Sequence, residues 1–243
     1  MAQVERLEER VAGINGIHHL AISTGDIKGQ IEYFTKVLGM RLTALYWMHG
    51  VEGAWHGFLE LNERASVAFV QMPGNAVGKS ELGSSHAANG GSPSSPGTMQ
   101  HVAFRVDTGE DLVALRNRIR SHGVPVFGPI DHGFCQSIYF AGPEGLNLEI
   151  STSDAAIDPD AWIDPEVVAL AGIAPDELAG YLAPAPPPAA APAVPQPAYD
   201  PAKPHMRYPE ARYQAMLGMS DADYAARANF AEPPVRKPAT AGA

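Results

Sequence analysis

The feature that most constrains this chain is an order of elements that occurs twice. Residues 17–23 (IHHLAIS) alternate apolar and polar as a strand does. In DIKGQIEYFTKVLG, the side chains of Ile27, Ile31, Phe34 and Leu38 mark one helical face and Gly39 supplies a stop. Three strand-like stretches follow, at 40–48, 54–61 and 66–72. About 80 residues on, the order returns: a strand at 99–106 (MQHVAFRV), the helix DLVALRNRIRSHG ending at Gly123, and strands at 124–130, 134–141 and 146–152. Asp26 precedes the first helix, and Thr108 with Asp111 makes a capping box for the second. One β-α-β-β-β unit cannot cover both its helix and its sheet, so two must pair, in one chain or across a dimer. The expected fold is therefore α+β, with two βαβββ modules forming a cupped mixed sheet.

Composition places the remaining residues. The chain has 243 residues, of which 45% are hydrophobic, enough for a core. Seventeen basic and 27 acidic side chains give a net charge of −10, which argues against a nucleic acid or an anionic membrane as partner. The single cysteine, Cys135, excludes an intrachain disulfide framework. The charged start MAQVERLEER and the lack of a long apolar run lead us to expect a soluble, cytoplasmic protein. Nine of the 22 prolines fall in residues 184–204, which reads as a semi-stiff Pro/Ala-rich linker. This divides the chain into an N-terminal segment (1–13), a paired-module domain (14–153), a short helical extension (154–183), the linker, and a tail (205–243). In the extension, Trp162 precedes a short apolar helix at 165–170. The tail offers two short helices, with Ser220 and Asp223 as a capping box. It is too small to stabilise itself and should dock on its own domain or on a partner.

Three side chains that can bind a metal sit at matching places. His19 opens the first strand of one half and His101 that of the other (HLAIS against HVAFR), while Glu149 lies in the last strand, LNLEIS. Strand alternation sends His18 and His19 to opposite faces. Any one of the three could be a satisfied polar group at a sheet rim, but a lone carboxylate on an apolar strand needs a partner.

His19 in IHHLAIS, with the helix from Asp26 through Tyr33-Phe34 to Leu38-Gly39, resembles the opening of vicinal oxygen chelate modules (glyoxalase, bleomycin resistance and extradiol dioxygenase proteins). His101 in MQHVAF and Glu149 in GPEGLNLEI are similar to the second module's ligand positions. The resemblance spans roughly residues 14–153 and implies a divalent metal in a cupped sheet, met by vicinal oxygens of the substrate. Family members with a fourth protein ligand take it from the last strand of the first half. Aligning SVAFVQM with LNLEIST sets Phe69 opposite Glu149, and Phe69 cannot bind metal; Gln71 is a weaker candidate for that place. Two histidines and one carboxylate leave open positions suited to Fe(II), with Mn(II) as the alternative.

Tyr139, ten residues before Glu149, is similar to the tyrosine that bonds the metal-bound catecholate in extradiol dioxygenases. It faces Glu149 only if the hairpin turn holds an odd number of residues. Proton transfer calls for a histidine, and His132 and His86 are the candidates. His49 and His56, near Trp47 and Trp55, are expected to line or flank the pocket, and Arg105 to pair with a surface carboxylate. The expected function is that of an Fe(II)-dependent extradiol-type dioxygenase taking a small aromatic substrate and O₂, acting as a homodimer. The alternatives are a metal-dependent isomerase, lyase or thiol transferase, and a binding protein that sequesters an aromatic compound.

Overall fold

A computed structural model describes residues 13–75, 80–185 and 193–235. Most of the N-terminal segment, and part of the Pro/Ala-rich linker, lie outside the described residues. The first module runs β1 (His19–Ser23), α1 (Ile27–Glu32), β2 (Arg41–Trp47), β3 (Trp55–Asn62) and β4 (Ala65–Gln71). α1 does not stop at Glu32: a wider π-type turn over Tyr33–Val37 carries the chain to Gly39, whose φ of 84° ends it. The second module runs β5 (Val102–Arg105), α2 (Gly109–Ser121), β6 (Val126–Asp131), β7 (Gln136–Ala141) and β8 (Asn147–Thr152). Both helix starts are capped as expected, Asp26 accepting from Gly29 N and Thr108 from Asp111 N.

Each module builds its own four-stranded mixed sheet, in the orders β1-β4-β3-β2 and β5-β8-β7-β6. The helix lies against one face of each sheet, and the two helix-side faces share one core. Phe34 of α1 shows why: its ring centroid lies 4.9 Å from that of Phe69 on β4 and 6.3 Å from that of Phe104 on β5. The modules are thus joined back to back. The opposite faces, which carry His19 and Glu149, look away from the shared core.

Polar ties fix the junction. Tyr33 donates its hydroxyl to the carbonyl of Ala141 at 2.7 Å, and burial pushes its pKa up to about 12. Arg118 of α2 donates to the carbonyls of Val37 and Lys36, both at 2.8 Å, and so satisfies the end of α1. Glu144, in the turn between β7 and β8, accepts from Thr24 Oγ1 (2.5 Å), Gly25 N (2.8 Å) and Gln30 Nε2 (2.8 Å). These bonds hold it at φ 56°, a left-handed conformation that a side-chain-bearing residue seldom adopts.

Residues Gly16–Ala174 form one compact unit. It takes in the extension as well as the modules: α3 (Pro159–Trp162) and α4 (Pro165–Leu170) follow β8, each capped by an aspartate at its start. Trp162 lays its ring on the β6–β7 turn, 4.9 Å from the Phe134 ring between centroids. Residues 175–235 belong to a second unit, with α5 (Pro175–Leu182), α6 (Glu210–Leu217) and α7 (Asp221–Arg227). Ser220 caps α7 by accepting from Asp223 N. Among the described residues, no helix is long and apolar enough to cross a membrane.

Candidate metal centre

Strand pairing decides which side chains share the outward face of the second module. Tyr139 of β7 stands opposite Glu149 of β8, and Ser137 opposite Ser151. Five residues connect Ala141 to Asn147, an odd number, so the parity expected for Tyr139 holds. β5 adds Ala103 beside Glu149, and His101 lies just before that strand on the same side.

Glu149 is only 5% exposed, and both of its oxygens are engaged. Tyr139 gives its hydroxyl to Glu149 Oε1 at 3.0 Å, and Ser151 Oγ gives to the same oxygen at 2.7 Å. Ser137 supports Ser151 at 2.9 Å. The other oxygen, Oε2, lies 2.9 Å from Nε2 of His101. Burial by itself would raise the Glu149 carboxyl. The bonds from Ser137, Ser151 and Tyr139, with His101 alongside, hold it below its ordinary value. Tyr139 moves the other way, raised by burial and then by the hydrogen bond and charge of Glu149, so it is a phenol and a donor at neutral pH. His132 Nε2 meets the Tyr139 hydroxyl at 3.0 Å. The turn that carries His132 is closed by its own N–H to the Cys135 carbonyl at 2.8 Å. His101, Glu149, Tyr139 and His132 therefore form one connected cluster.

Two donor atoms held about 2.1 Å from a divalent cation at right angles to each other lie about 3 Å apart. The 2.9 Å between His101 Nε2 and Glu149 Oε2 fits that requirement for two ligand positions. His19, the third expected ligand, is not beside them. Among the described residues, no group of three His, Cys, Asp or Glu side chains is gathered to hold a metal. His19 lies on the outward face of the first module, with its ring centroid 5.5 Å from Phe58 and 6.3 Å from His56. The physical cause is the back-to-back joint: both helix faces are spent on the common core, so the two outward faces point apart.

The rest of the His19 face is aromatic. Tyr46 stacks on Phe58 with planes 9° apart, and His56 packs against Phe58 at 4.4 Å. His56 is 9% exposed and its Nε2 has no partner among the described atoms. Burial, then the neighbouring His19, lowers its pKa, which keeps the imidazole neutral. His56 thus lines this face. Trp47 and Trp55 pair with each other, 5.7 Å between centroids, but strand alternation puts them on the other side of the sheet from His56.

Two expectations are corrected. The residue opposite Glu149 in the first module is Ala68, not Phe69: Ala21 pairs with Ala68 as Ala103 pairs with Glu149. Phe69 belongs to the core against Phe34, and Gln71, of the same parity, faces the helix side. There its Oε1 accepts from the backbone N–H of Ile27 at 2.8 Å, satisfying the start of α1 rather than filling a fourth ligand place. His86 is also displaced from the cluster. It lies beside Gly145, 3.7 Å from where a Cβ there would stand, and bonds Ser85. Its loop does reach the site, but through Gly90, whose Cβ position is 3.8 Å from the Tyr139 ring. Arg105 pairs with Asp107 at 3.8 Å on the surface, as expected. Ser137 and Ser151 escaped the sequence reading, although they share the strand parity of Tyr139 and Glu149.

Comparison with known proteins identifies the family. The model of the Glyoxalase/Bleomycin resistance protein/Dioxygenase superfamily matches residues 16–150. An iron-dependent extradiol dioxygenase of Rhodococcus jostii (strain RHA1) is 24% identical over 174 residues, covering 66% of this chain and 50% of that protein. Biphenyl-2,3-diol 1,2-dioxygenase 2 of Rhodococcus globerulus is 31% identical over 71 residues, covering 28% of this chain and 37% of its own length. The chain thus spans half or less of the curated relatives it matches. Among solved structures, a fosfomycin resistance protein of Listeria monocytogenes with Mn(II) bound superimposes with a TM-score of 0.41 at 14% identity, covering 61% of this chain and 99% of its own. An antibiotic-binding protein of Streptomyces sp. CB03234 does so with a TM-score of 0.43 at 15% identity, covering 59% and 99%. With the doubled βαβββ order and a family match across both modules, the chain belongs to the glyoxalase/bleomycin resistance/dioxygenase superfamily.

Proposed function

We propose that the protein is a non-haem Fe(II)-dependent dioxygenase of the extradiol type, opening the ring of a catechol- or hydroquinone-like aromatic. The observation that carries this reading is the linked set of His101, Glu149, Tyr139 and, from the β6–β7 turn, His132. His101 and Glu149 would hold the metal through a nitrogen and an oxygen, a mixed donor set that suits Fe(II) and, as the alternative, Mn(II). His19 would complete it from a second copy of the chain, because its own module turns it away; the working form is then a homodimer. Iron, when bound, supplies a centre at which the aromatic diol and O₂ meet and exchange electrons.

The chain's own residues prepare the substrate. Tyr139, kept protonated, would turn its hydroxyl from Glu149 to an ionised ring oxygen of the diol. His132, whose Nε2 donates to the Tyr139 hydroxyl oxygen, would take the proton of the second ring hydroxyl on its other nitrogen and return one as the ring opens. The iron-dependent extradiol dioxygenase among its relatives supports this reading. An isomerase or lyase built on four protein ligands finds no support in the first module, where Ala68 and the engaged Gln71 offer none.

The test is anaerobic loading with Fe(II) or Mn(II), metal counting, and oxygen uptake with a panel of catechols and hydroquinones. The expected result is stoichiometric metal and one O₂ consumed per ring opened. No stoichiometric metal, with tight binding of an unreacted aromatic, would instead mark a sequestering protein.

A further inference from the structure

Gln100 precedes His101, and its side-chain amide is engaged at both ends. The Nε2 end donates to the carbonyls of Gly90 (3.0 Å) and Asn89 (3.2 Å), with the Ser92 carbonyl at 3.5 Å. Carbonyls only accept, so the NH₂ end of the amide must face them. The oxygen is then fixed at the other end, where Oε1 meets Nδ1 of His101. An amide oxygen cannot donate, so His101 Nδ1 carries the hydrogen. In the neutral imidazole the free lone pair is therefore on Nε2, the nitrogen that faces Glu149.

The loop at the far end of this amide has a defined shape. Asn89 closes it, accepting from Gly91 N through Oδ1 (2.9 Å) and from Ser92 N through its carbonyl (3.0 Å). Ser95 N to the Ser84 carbonyl (2.9 Å) closes its base. Gly90 lies against the Tyr139 ring. The backbone of Gln100 is itself anchored, its carbonyl accepting from Asn147 Nδ2 at 3.5 Å.

We propose that Gln100 is a positioning residue that couples the imidazole of His101 to the Asn89–Ser92 loop, so that the hold on a cation and the closure of the loop over Tyr139 rise and fall together. This rests on the reading of His101 as a metal ligand.

Two variants of the full chain separate the two ends of the amide. Gln100→Glu keeps an acceptor for His101 Nδ1 but sets a carboxylate against the loop carbonyls; Gln100→Met removes both interactions. Mn(II) binding is read by the electron paramagnetic resonance signal of the free ion, and loop closure by amide hydrogen exchange over residues 84–98, with and without Mn(II). In the unaltered chain Mn(II) should slow exchange in that segment. Gln100→Glu should bind Mn(II) within about threefold of it, with fast exchange that Mn(II) no longer slows, whereas Gln100→Met should lose roughly 10–100-fold in affinity. Unaltered affinity in Gln100→Met, or an unaltered loop response in Gln100→Glu, overturns the coupling alone. An unaltered chain that binds no Mn(II) overturns the metal reading, and the coupling with it.

Discussion

Tyr139 and Glu149 stand directly across from one another on β7 and β8, and the phenol donates to the buried carboxylate at 3.0 Å while its oxygen also meets His132. Each of the three thereby fixes the next: the carboxylate keeps the phenol protonated, and the phenol orients the imidazole.

Tyr139→Phe removes the donor but leaves the ring and its packing. Metal content should be unchanged and turnover should fall by roughly 10²-fold, the usual loss when one donor to a developing oxyanion is deleted. Steady-state oxygen uptake beside metal analysis checks this.

Glu149→Ala removes a proposed ligand and leaves the Tyr139 and Ser151 hydroxyls without their acceptor. Metal binding should be lost. Stability should fall by about 1–3 kcal/mol, the cost of leaving buried donors unpaired. Chemical denaturation of the metal-free protein separates the second effect from the first.

If the third ligand comes from a second copy, two defective variants can repair each other. His19→Ala and Glu149→Ala should each bind no metal, yet a co-expressed mixture should bind some, since one site of each mixed dimer keeps all three ligands. A mixture as empty as its parents would place the third ligand elsewhere.

Glu144 ties the modules in a pH-dependent way. Burial would raise its carboxyl, but bonds from Thr24, Gln30 and Gly25 leave it depressed. A depressed folded value contributes stability that is full above the unfolded value, about 4.3 for glutamate, and lost as pH falls through the lower folded value. Glu144→Gln should lower the Tm near neutrality and flatten its fall in acid, read by thermal melts at stepped pH.

The extension steadies the turn that bears His132. A Cβ at Gly133, where φ is 85°, would stand 2.7 Å from the Trp162 ring. Gly133→Ala should therefore both strain the backbone and push the ring away. Trp162→Ala should cost about 1–2 kcal/mol, less than a fully buried aromatic, because the residue is half exposed. Each should slow turnover more than it reduces metal content.

Much of the fold was legible because its signals are local. Alternation and helical period marked all eight strands and both module helices, and the caps at Asp26, Thr108 and Ser220 fell where residue type placed them. The same alternation put Tyr139 and Glu149 on one face, because the parity of a short hairpin turn can be counted. Ser137 and Ser151 could have been found by that count as well.

What sequence could not settle is where the faces point and which row meets which. A one-residue slip in matching β4 to β8 exchanged Ala68 for Phe69, and only the observed parallel pairing with β1 corrects it. Gln71 and His86 carry suitable atoms, but their partners, the N–H of Ile27 and the turn at Gly145, come from distant parts of the chain. The separation of His19 from His101 is likewise tertiary. Local periodicity says that a helix covers one face of each sheet; the packing of Phe34 against both Phe69 and Phe104 decides that the two covered faces meet each other and the faces carrying His19 and Glu149 do not.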